Sequence, residues 1–360
     1  MQHKPIMIMA GGTGGHIYPA LAVAEFIRSR DIPLYWLGTR RGLEAVLVPR
    51  QGIELFTLSV DGIRGKGLRQ LLLSPFRIVA SICRAMRIFL RLKPAAVLGM
   101  GGFAAGPGGI AACLLRIPLY IHEQNRIAGL TNKLLAPLAR LVFQGFPKTF
   151  PARDGVITSG NPVRRAICEL PEPQSRMAGR SGSIKVLILG GSQGALCLNR
   201  LLPQALSELG KTDAVEVWHQ CGIAHHDSTA QVYAGLDLSG YKLEAFIEDM
   251  AAAYAWADLA VCRAGALTIA ELCAAGLGAV LIPFPHAVDD HQTMNARYMS
   301  DANAAVLCPE AELDVSGLQS LLSGLVQDRQ TLINMAVNSR QLAQPDAARV
   351  VGEYCIGERS

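Results

Sequence analysis

Between Asp61 and Glu123 the chain has no acidic residue, although its 360 residues include 29 Asp and Glu. Nine Lys and Arg fall inside that gap, which excludes a charge-balanced surface there and suits an anionic partner. The imbalance is wider than the gap. Residues 1–165 carry 22 Lys and Arg against 7 Asp and Glu, and residues 166–360 carry 12 against 22. The formal charge of +5 therefore hides a basic half and an acidic half. The nine cysteines are scattered and never form Cys-x-x-Cys, which speaks against a disulfide framework and against a zinc site. No Asp-x-Asp pair is present to hold a divalent ion, and no metal or cofactor is expected. Half of the residues are hydrophobic, yet the longest uncharged stretch, 94–115, is broken by glycines and Pro107. Such a stretch reads as strand, loop and helix start rather than a bilayer span. Met1-Gln2-His3-Lys4-Pro5 lacks the apolar core of a signal peptide, so a cytosolic chain is expected; no nucleic-acid partner is expected.

What is present begins with Met7-Ile8-Met9-Ala10-Gly11-Gly12-Thr13-Gly14-Gly15-His16, an apolar strand that turns through glycines into a helix over 18–30. A strand–glycine–helix corner brings backbone N–H groups towards an anion at a positive helix end. Glycine also serves any tight turn of this kind, so the corner alone does not decide. His16 adds an imidazole, able to accept or donate a proton, at its lip. Strands over 5–9 and 33–37 complete a βαβ unit. The second ends in Gly38-Thr39-Arg40-Arg41, without the acid that would hold an NAD ribose.

Ser74-Pro75 reads as a helix start, Ser as N-cap and Pro in the first turn. Beyond it Phe76, Val79, Cys83, Met86 and Leu90 form an apolar stripe, widened by Ile78, Ile82 and Phe89, with Arg77, Arg84, Arg87 and Arg91 to one side. The stripe taken alone reads as a helix face packed on the sheet. The whole region from Arg64 to Lys93, with Lys66, Arg69 and Leu71-Leu72-Leu73, reads as a basic apolar surface resting on anionic lipid. A strand over 95–99 leads into a second glycine-dense loop, 99–109. The strand over 118–121 ends in His122-Glu123-Gln124-Asn125, four polar side chains where open α/β sheets place ligands. A strand-end cap explains one of them and not four.

Residues 171–183, rich in Pro, Ser and Gly, read as a linker, after which the pattern restarts. Lys185 to Ala195 repeats strand, glycine corner and helix. Two similar doubly wound α/β halves facing a cleft are expected, a geometry suited to joining two phosphate-bearing substrates. Ala264-Gly265-Ala266 open a helix whose amides suit a diphosphate, with Thr268 able to donate. Glu271 is placed either to accept from two ribose hydroxyls or to sit favourably near a helix N-terminus. Asp289-Asp290-His291-Gln292 reads as a helix start, Asp289 as N-cap and Gln292 as reciprocal cap. The segment 341–354 reads as a last helix that closes back on the first domain.

These motifs, together with Gly160-Asn161-Pro162-Val163-Arg164 and Gly190-Gly191-Ser192-Gln193-Gly194, run from about residue 5 to the last helix. In order and spacing they resemble the MurG family, bacterial N-acetylglucosaminyltransferases that act on lipid I in peptidoglycan synthesis. The resemblance implies a GT-B glycosyltransferase of two Rossmann-like domains. Residues 1–163 would serve the lipid-linked acceptor and the membrane, residues 164–340 the UDP-N-acetylglucosamine donor, and 341–360 would pack on the first domain. It implies that Arg164 and Ser192 meet the diphosphate and Glu271 the ribose. Phe246, Ile247 and the run Ala266, Leu267, Thr268, Ile269, Ala270 would line the nucleotide. Gln292 and Asn125 would hold the sugar, and Thr13, Gly14, Gly15 and His16 the acceptor side and transferred sugar. An inverting transfer needs a base for the acceptor hydroxyl; His16 is the first candidate and Glu123 the second. The place implied is the cytoplasmic face of the plasma membrane, beside other cell-wall synthesis proteins. Phe103, Arg126 and Gly278 depart from the family pattern, where a tyrosine, a small residue and a proline are usual. A UDP-sugar 2-epimerase and an inactive membrane scaffold are the competing readings.

Overall fold

The computed structural model describes residues 4–59, 68–191, 194–210, 215–238 and 240–359. The chain forms two compact units, residues 1–164 with 345–360, and residues 165–344. The first unit runs β1 (Ile6–Met9), α1 (Gly14–Arg28), β2 (Leu34–Thr39), α2 (Glu44–Arg50), β3 (Glu54–Leu58) and α3 (Leu68–Leu92). It continues with β4 (Ala96–Gly99), α4 (Ala105–Leu114), β5 (Leu119–Glu123), α5 (Leu130–Leu135), β6 (Leu141–Gln144) and β7 (Val156–Thr158). Every pairing in its sheet is parallel, in the order β3-β2-β1-β4-β5-β6-β7. Strands buried on both faces explain the unbroken apolar runs Ile6 to Met9 and Ala96 to Leu98. One face packs Ile6, Ile8 and Trp36 against Ile17, Val23 and Val48; the other packs Met7, Met9 and Val97 against Ala85, Phe89 and Ala111.

The second unit opens with α6 (Arg165–Cys168) and α7 (Pro173–Met177), then β8 (Ile184–Leu189), α8 (Leu196–Gly210), β9 (Val215–Gln220) and α9 (His226–Ala234). There follow β10 (Tyr241–Glu244), α10 (Met250–Trp256), β11 (Leu259–Cys262), α11 (Ala266–Ala275), β12 (Ala279–Leu281), α12 (His291–Ser300) and β13 (Ala305–Leu307). Helices α13 (Val315–Val326) and α14 (Arg329–Gln341) close it. Its sheet, β10-β9-β8-β11-β12-β13, is also wholly parallel. In both sheets the winding reverses beside the first strand, between β1 and β4 and between β8 and β11. Doubly wound sheets bind ligands at such a switch point, outside the carboxyl ends of the strands. Last, α15 (Ala347–Ile356) rejoins the first unit, where Val351 and Cys355 enter the core and Tyr354 lies against Phe143.

Several local expectations need correcting. Helix α1 starts at Gly14 rather than at Tyr18, so the corner's last glycines and His16 form its first turn. Ser74 is no N-cap, because α3 begins at Leu68 and carries Pro75 inside it. The apolar stripe of α3 is its packed face only in part: Met86, with Ile82 and Phe89 beside it, packs on the core. Ser81, Ala85 and Phe89 face the core, while Phe76, Val79, Cys83 and Leu90 are exposed beside Arg77, Arg84, Arg87 and Arg91. Arg64 and Lys66 lie outside the described residues, as do the side chains of Arg69 and Leu71 to Leu73. The Pro171 to Ser183 segment is no free linker. Its Arg180 donates to the Ala255 and Trp256 carbonyls and pairs with buried Asp258 at 2.5 Å. Gln341 ends α14 rather than starting the last helix. No helix among the described residues is long and apolar enough to cross a membrane.

Candidate active site

In the first unit the switch point is built from β1, β4 and β5. At the end of β1 the chain turns through Gly11 and Gly12, and Glu44, wholly buried at the start of α2, reaches under this turn. Its Oε2 accepts the Gly12 N–H at 3.0 Å, and its Oε1 accepts the Thr39 N–H and hydroxyl at 2.8 and 2.7 Å. The Gly12 amide therefore faces an internal carboxylate. The amides left for an outside anion are those of Thr13, Gly14 and Gly15, the orphan donors of the helix start. The second glycine loop seats the first. A Cβ on Gly101, whose φ is +101°, would come within 2.7 Å of His16 Nδ1, and one on Gly102 would strike the Gly11 backbone. Only glycine allows this approach.

His16 is half-buried, and its Nδ1 lies 3.1 Å from Gln124 Oε1. Gln124 in turn donates from Nε2 to the Met100 carbonyl at 2.9 Å. The rest of the His122-Glu123-Gln124-Asn125 run is also held within the unit. His122 is wholly buried with Nε2 2.9 Å from the Gly160 carbonyl, and burial pushes its pKa down to about 4. Glu123 accepts from the Asn125 N–H and Nδ2 on one oxygen, and from the Gly129 N–H and Asn132 Nδ2 on the other. It braces the loop that leads into α5. Internal bonds thus explain polar groups that a strand-end cap alone would not. Arg164, the last residue of this unit, stands over the Tyr18 ring at 5.1 Å.

In the second unit the matching corner is Gly190-Gly191, whose Gly191 carbonyl accepts from buried Gln220 at 3.2 Å. Ser192 lies outside the described residues. Across the switch point, α11 begins after Gly265, so the N–H groups of Ala266, Leu267 and Thr268 are its orphan donors. The Ile269 N–H bonds back to the Gly265 carbonyl at 2.9 Å, and the Ile269 side chain is buried in the core, as is that of Ile247. Phe246 is exposed. Glu271 lies in the second turn, so it is no first-turn acid. Its carboxylate is nearly buried, and Oε2 accepts from the Tyr254 hydroxyl at 3.0 Å. The far end of α11 is capped by cations: Arg176 donates to the Ala275 carbonyl at 2.7 Å and to that of Gly276, and Arg340 to that of Ala274. Cations at the C-terminus favour the helix dipole that leaves the N-terminus positive. The expected capping box at Asp289 and Gln292 does not form. Asp289 and Asp290 are left-handed, with φ of 55° and 51°, and Gln292 Oε1 instead accepts the Phe284 N–H at 2.9 Å.

Comparison with known proteins now adds to this geometry. Residues 6–144 match the glycosyltransferase family 28 N-terminal domain and residues 185–351 its C-terminal domain. A protein of Nitrosococcus oceani named UDP-N-acetylglucosamine--N-acetylmuramyl-(pentapeptide) pyrophosphoryl-undecaprenol N-acetylglucosamine transferase is 51% identical over 98% of both chains. A protein of Xylella fastidiosa with the same name is 51% identical over 99% of this chain and 96% of its own. The chain belongs to the MurG family.

The crystal structure of Acinetobacter baumannii MurG superposes with a TM-score of 0.84 at 41% identity, covering 99% of this chain and all of that one. The resemblance read from the motifs and the GT-B fold class stand. A UDP-N-acetylglucosamine 2-epimerase from Neisseria meningitidis, at 14% identity and a TM-score of 0.68 over 99% of this chain and all of its own, shares the fold alone. Sequence reading of this MurG-family chain missed Glu44 and Tyr254. Both act through residues far from them in the chain, at separations of 32 and 17 residues. The one available signal for Glu44 was an acid in an otherwise apolar, basic run.

Proposed function

We propose that this chain transfers N-acetylglucosamine from UDP-N-acetylglucosamine to the muramoyl sugar of an undecaprenyl-diphosphate-linked pentapeptide, with inversion at the anomeric carbon. The second unit holds the donor and the first the acceptor. The start of α11 gives three amides to the diphosphate, and Glu271 accepts from the ribose hydroxyls. Arg164 and Ser192 add to diphosphate binding. Gln292 and Asn125 meet the sugar.

His16 is the base. As the acceptor oxygen bonds to the anomeric carbon, the bond from that carbon to the UDP oxygen breaks and its electron pair leaves with UDP. The acceptor proton passes to His16 Nε2. Charge growing on UDP is met by fixed N–H dipoles and the Arg164 guanidinium. Glu123 is the poorer base, since four N–H donors already occupy its two oxygens.

The exposed face of α3 meets the membrane. Phe76 is 75% exposed and Leu90 58%, with Arg84 and Arg87 between them on the same surface. Apolar side chains flanked by cations on one helix fit a headgroup boundary rich in anionic lipid. The chain is accordingly a peripheral protein of the cytoplasmic face, where its lipid-linked acceptor is presented.

The observation that carries this reading is the pair of switch-point clusters, within a chain half-identical along its whole length to proteins named for this transfer. The test is product analysis with UDP-N-acetylglucosamine and a short-chain lipid I analogue. A β-linked disaccharide lipid with equimolar UDP is expected. UDP-N-acetylmannosamine without acceptor glycosylation would make the chain an epimerase instead.

A further inference from the structure

His16 is an imidazole with two nitrogens, and only a bare one can take a proton. We propose that Gln124 is a positioning residue that fixes the His16 tautomer, with the proton on Nδ1 and the lone pair on Nε2. This rests on the reading of His16 as the base.

Which atoms can donate decides the tautomer. Gln124 is 2% exposed, so no bulk water offers its amide an alternative set of partners. One end of that amide lies 2.9 Å from the Met100 carbonyl oxygen. A carbonyl oxygen only accepts, so the NH₂ end must face it, and the amide oxygen must face His16. That oxygen also only accepts, so the His16 Nδ1, 3.1 Å away, must carry the hydrogen. A neutral imidazole has one N–H, which leaves Nε2 bare. No group among the described residues is hydrogen-bonded to Nε2.

The relay has a rigid origin. The Met100 N–H donates to the Met9 carbonyl at 2.8 Å, which extends the β1–β4 ladder. The Gln124 backbone carbonyl accepts from buried Asn161 Nδ2 at 3.0 Å. Gly101, with φ of +101°, leaves room for the ring edge that bears Nδ1, where a Cβ would intrude. The ring is thus held from Nδ1 by Gln124, itself fixed to the Met100 carbonyl and to Asn161. An imidazole free in water prefers the proton on Nε2, the tautomer with no base at that position, so a neutral partner that selects the other form speeds proton removal.

The test combines nitrogen NMR of the ¹⁵N-histidine-labelled full chain at pH 8 with kinetics, the His16 signal being assigned by its loss in His16→Asn. In the wild type a protonated Nδ1 and an unprotonated Nε2 are expected. Gln124→Met, which keeps the volume but removes the acceptor, should move His16 towards the Nε2–H form. It should also lower kcat by about tenfold or more, while the KM for UDP-N-acetylglucosamine stays within about twofold. A wild-type His16 protonated on Nε2 overturns the proposal, and that readout stands even if the variant fails to fold. A variant that loses turnover with its tautomer unchanged overturns it too. If the tautomer is as stated but His16→Ala retains normal turnover, the base reading fails while the tautomer assignment stands.

Discussion

Glu44 and Gly12, 32 residues apart, meet beneath the first glycine corner, where Glu44 Oε2 accepts the Gly12 N–H at 3.0 Å. The same side chain fills the space in which a Cβ on Gly11, Gly38 or Gly42 would sit, the carboxylate at Gly11 and Gly42 and the Cγ at Gly38. The corner is therefore shaped from inside by a buried anion as well as by the freedom of its glycines. Glu44→Ala would leave the Gly12 N–H and both Thr39 donors unpaired in a buried place, at a cost of roughly 3 kcal/mol or more. Urea unfolding read through Trp36, which donates to the Ala10 carbonyl beside the corner, should show that loss. The second unit, followed by Trp218 and Trp256, should unfold as before.

The proposed donor site yields a graded pair. Glu271→Ala removes the carboxylate and should weaken UDP binding by about 1–3 kcal/mol. Tyr254→Phe removes only the hydroxyl that Glu271 accepts from at 3.0 Å, and should weaken it less. Calorimetric titration with UDP checks both, and equal affinity in all three proteins would remove the ribose role.

The proposed membrane contact through α3 separates into two parts. Val79→Ser with Leu90→Ser should reduce binding to vesicles of any headgroup, by about 1–2 kcal/mol per side chain. Arg84→Glu with Arg87→Glu should reduce binding only to anionic vesicles, by about 1 kcal/mol or more per site, and high salt should abolish the difference. UDP affinity should not change in either variant.

Acid should destabilise both units, through different histidines. Burial lowers His122 to about 4 in the first unit and His219 to about 3 in the second, where His219 lies between Tyr233 and Asn199. Both are depressed below the unfolded value of about 6.5, so the unfolded chain binds more protons in between. Their contribution is present above pH 6.5 and is lost as pH falls towards 4, on the order of 3 kcal/mol for each histidine. Denaturation midpoints measured from pH 7 to pH 4.5 should fall steadily. His219→Gln should flatten the slope for the second unit alone.

Much of the fold was legible because strands buried on both faces write unbroken apolar runs, and glycine corners follow them directly. Both corners, the start of α11 and the doubled pattern needed nothing more. What failed was whatever depends on partners distant in sequence. The stripe Phe76, Val79, Cys83, Met86 and Leu90 has helical period, but period does not say which of its residues meet the core; only Met86 does, on the side marked by the small residues Ser81 and Ala85, which allow the helix to approach closely. Glu123 and Gln124 resembled ligand groups because nothing local reveals the Gly129 amide or the Met100 carbonyl that engages them. The Asp289-Asp290 turn had the residues of a capping box, yet two left-handed residues turn the chain so that Gln292 meets Phe284.

The division of labour between the units is the claim on which the rest depends, and hydrogen exchange of the whole chain with and without UDP-N-acetylglucosamine tests it most directly. Slower exchange at the amides of 266–271, with residues 11–16 little changed in the absence of acceptor, is the expected result. Protection by the donor confined to residues 11–16 would contradict it.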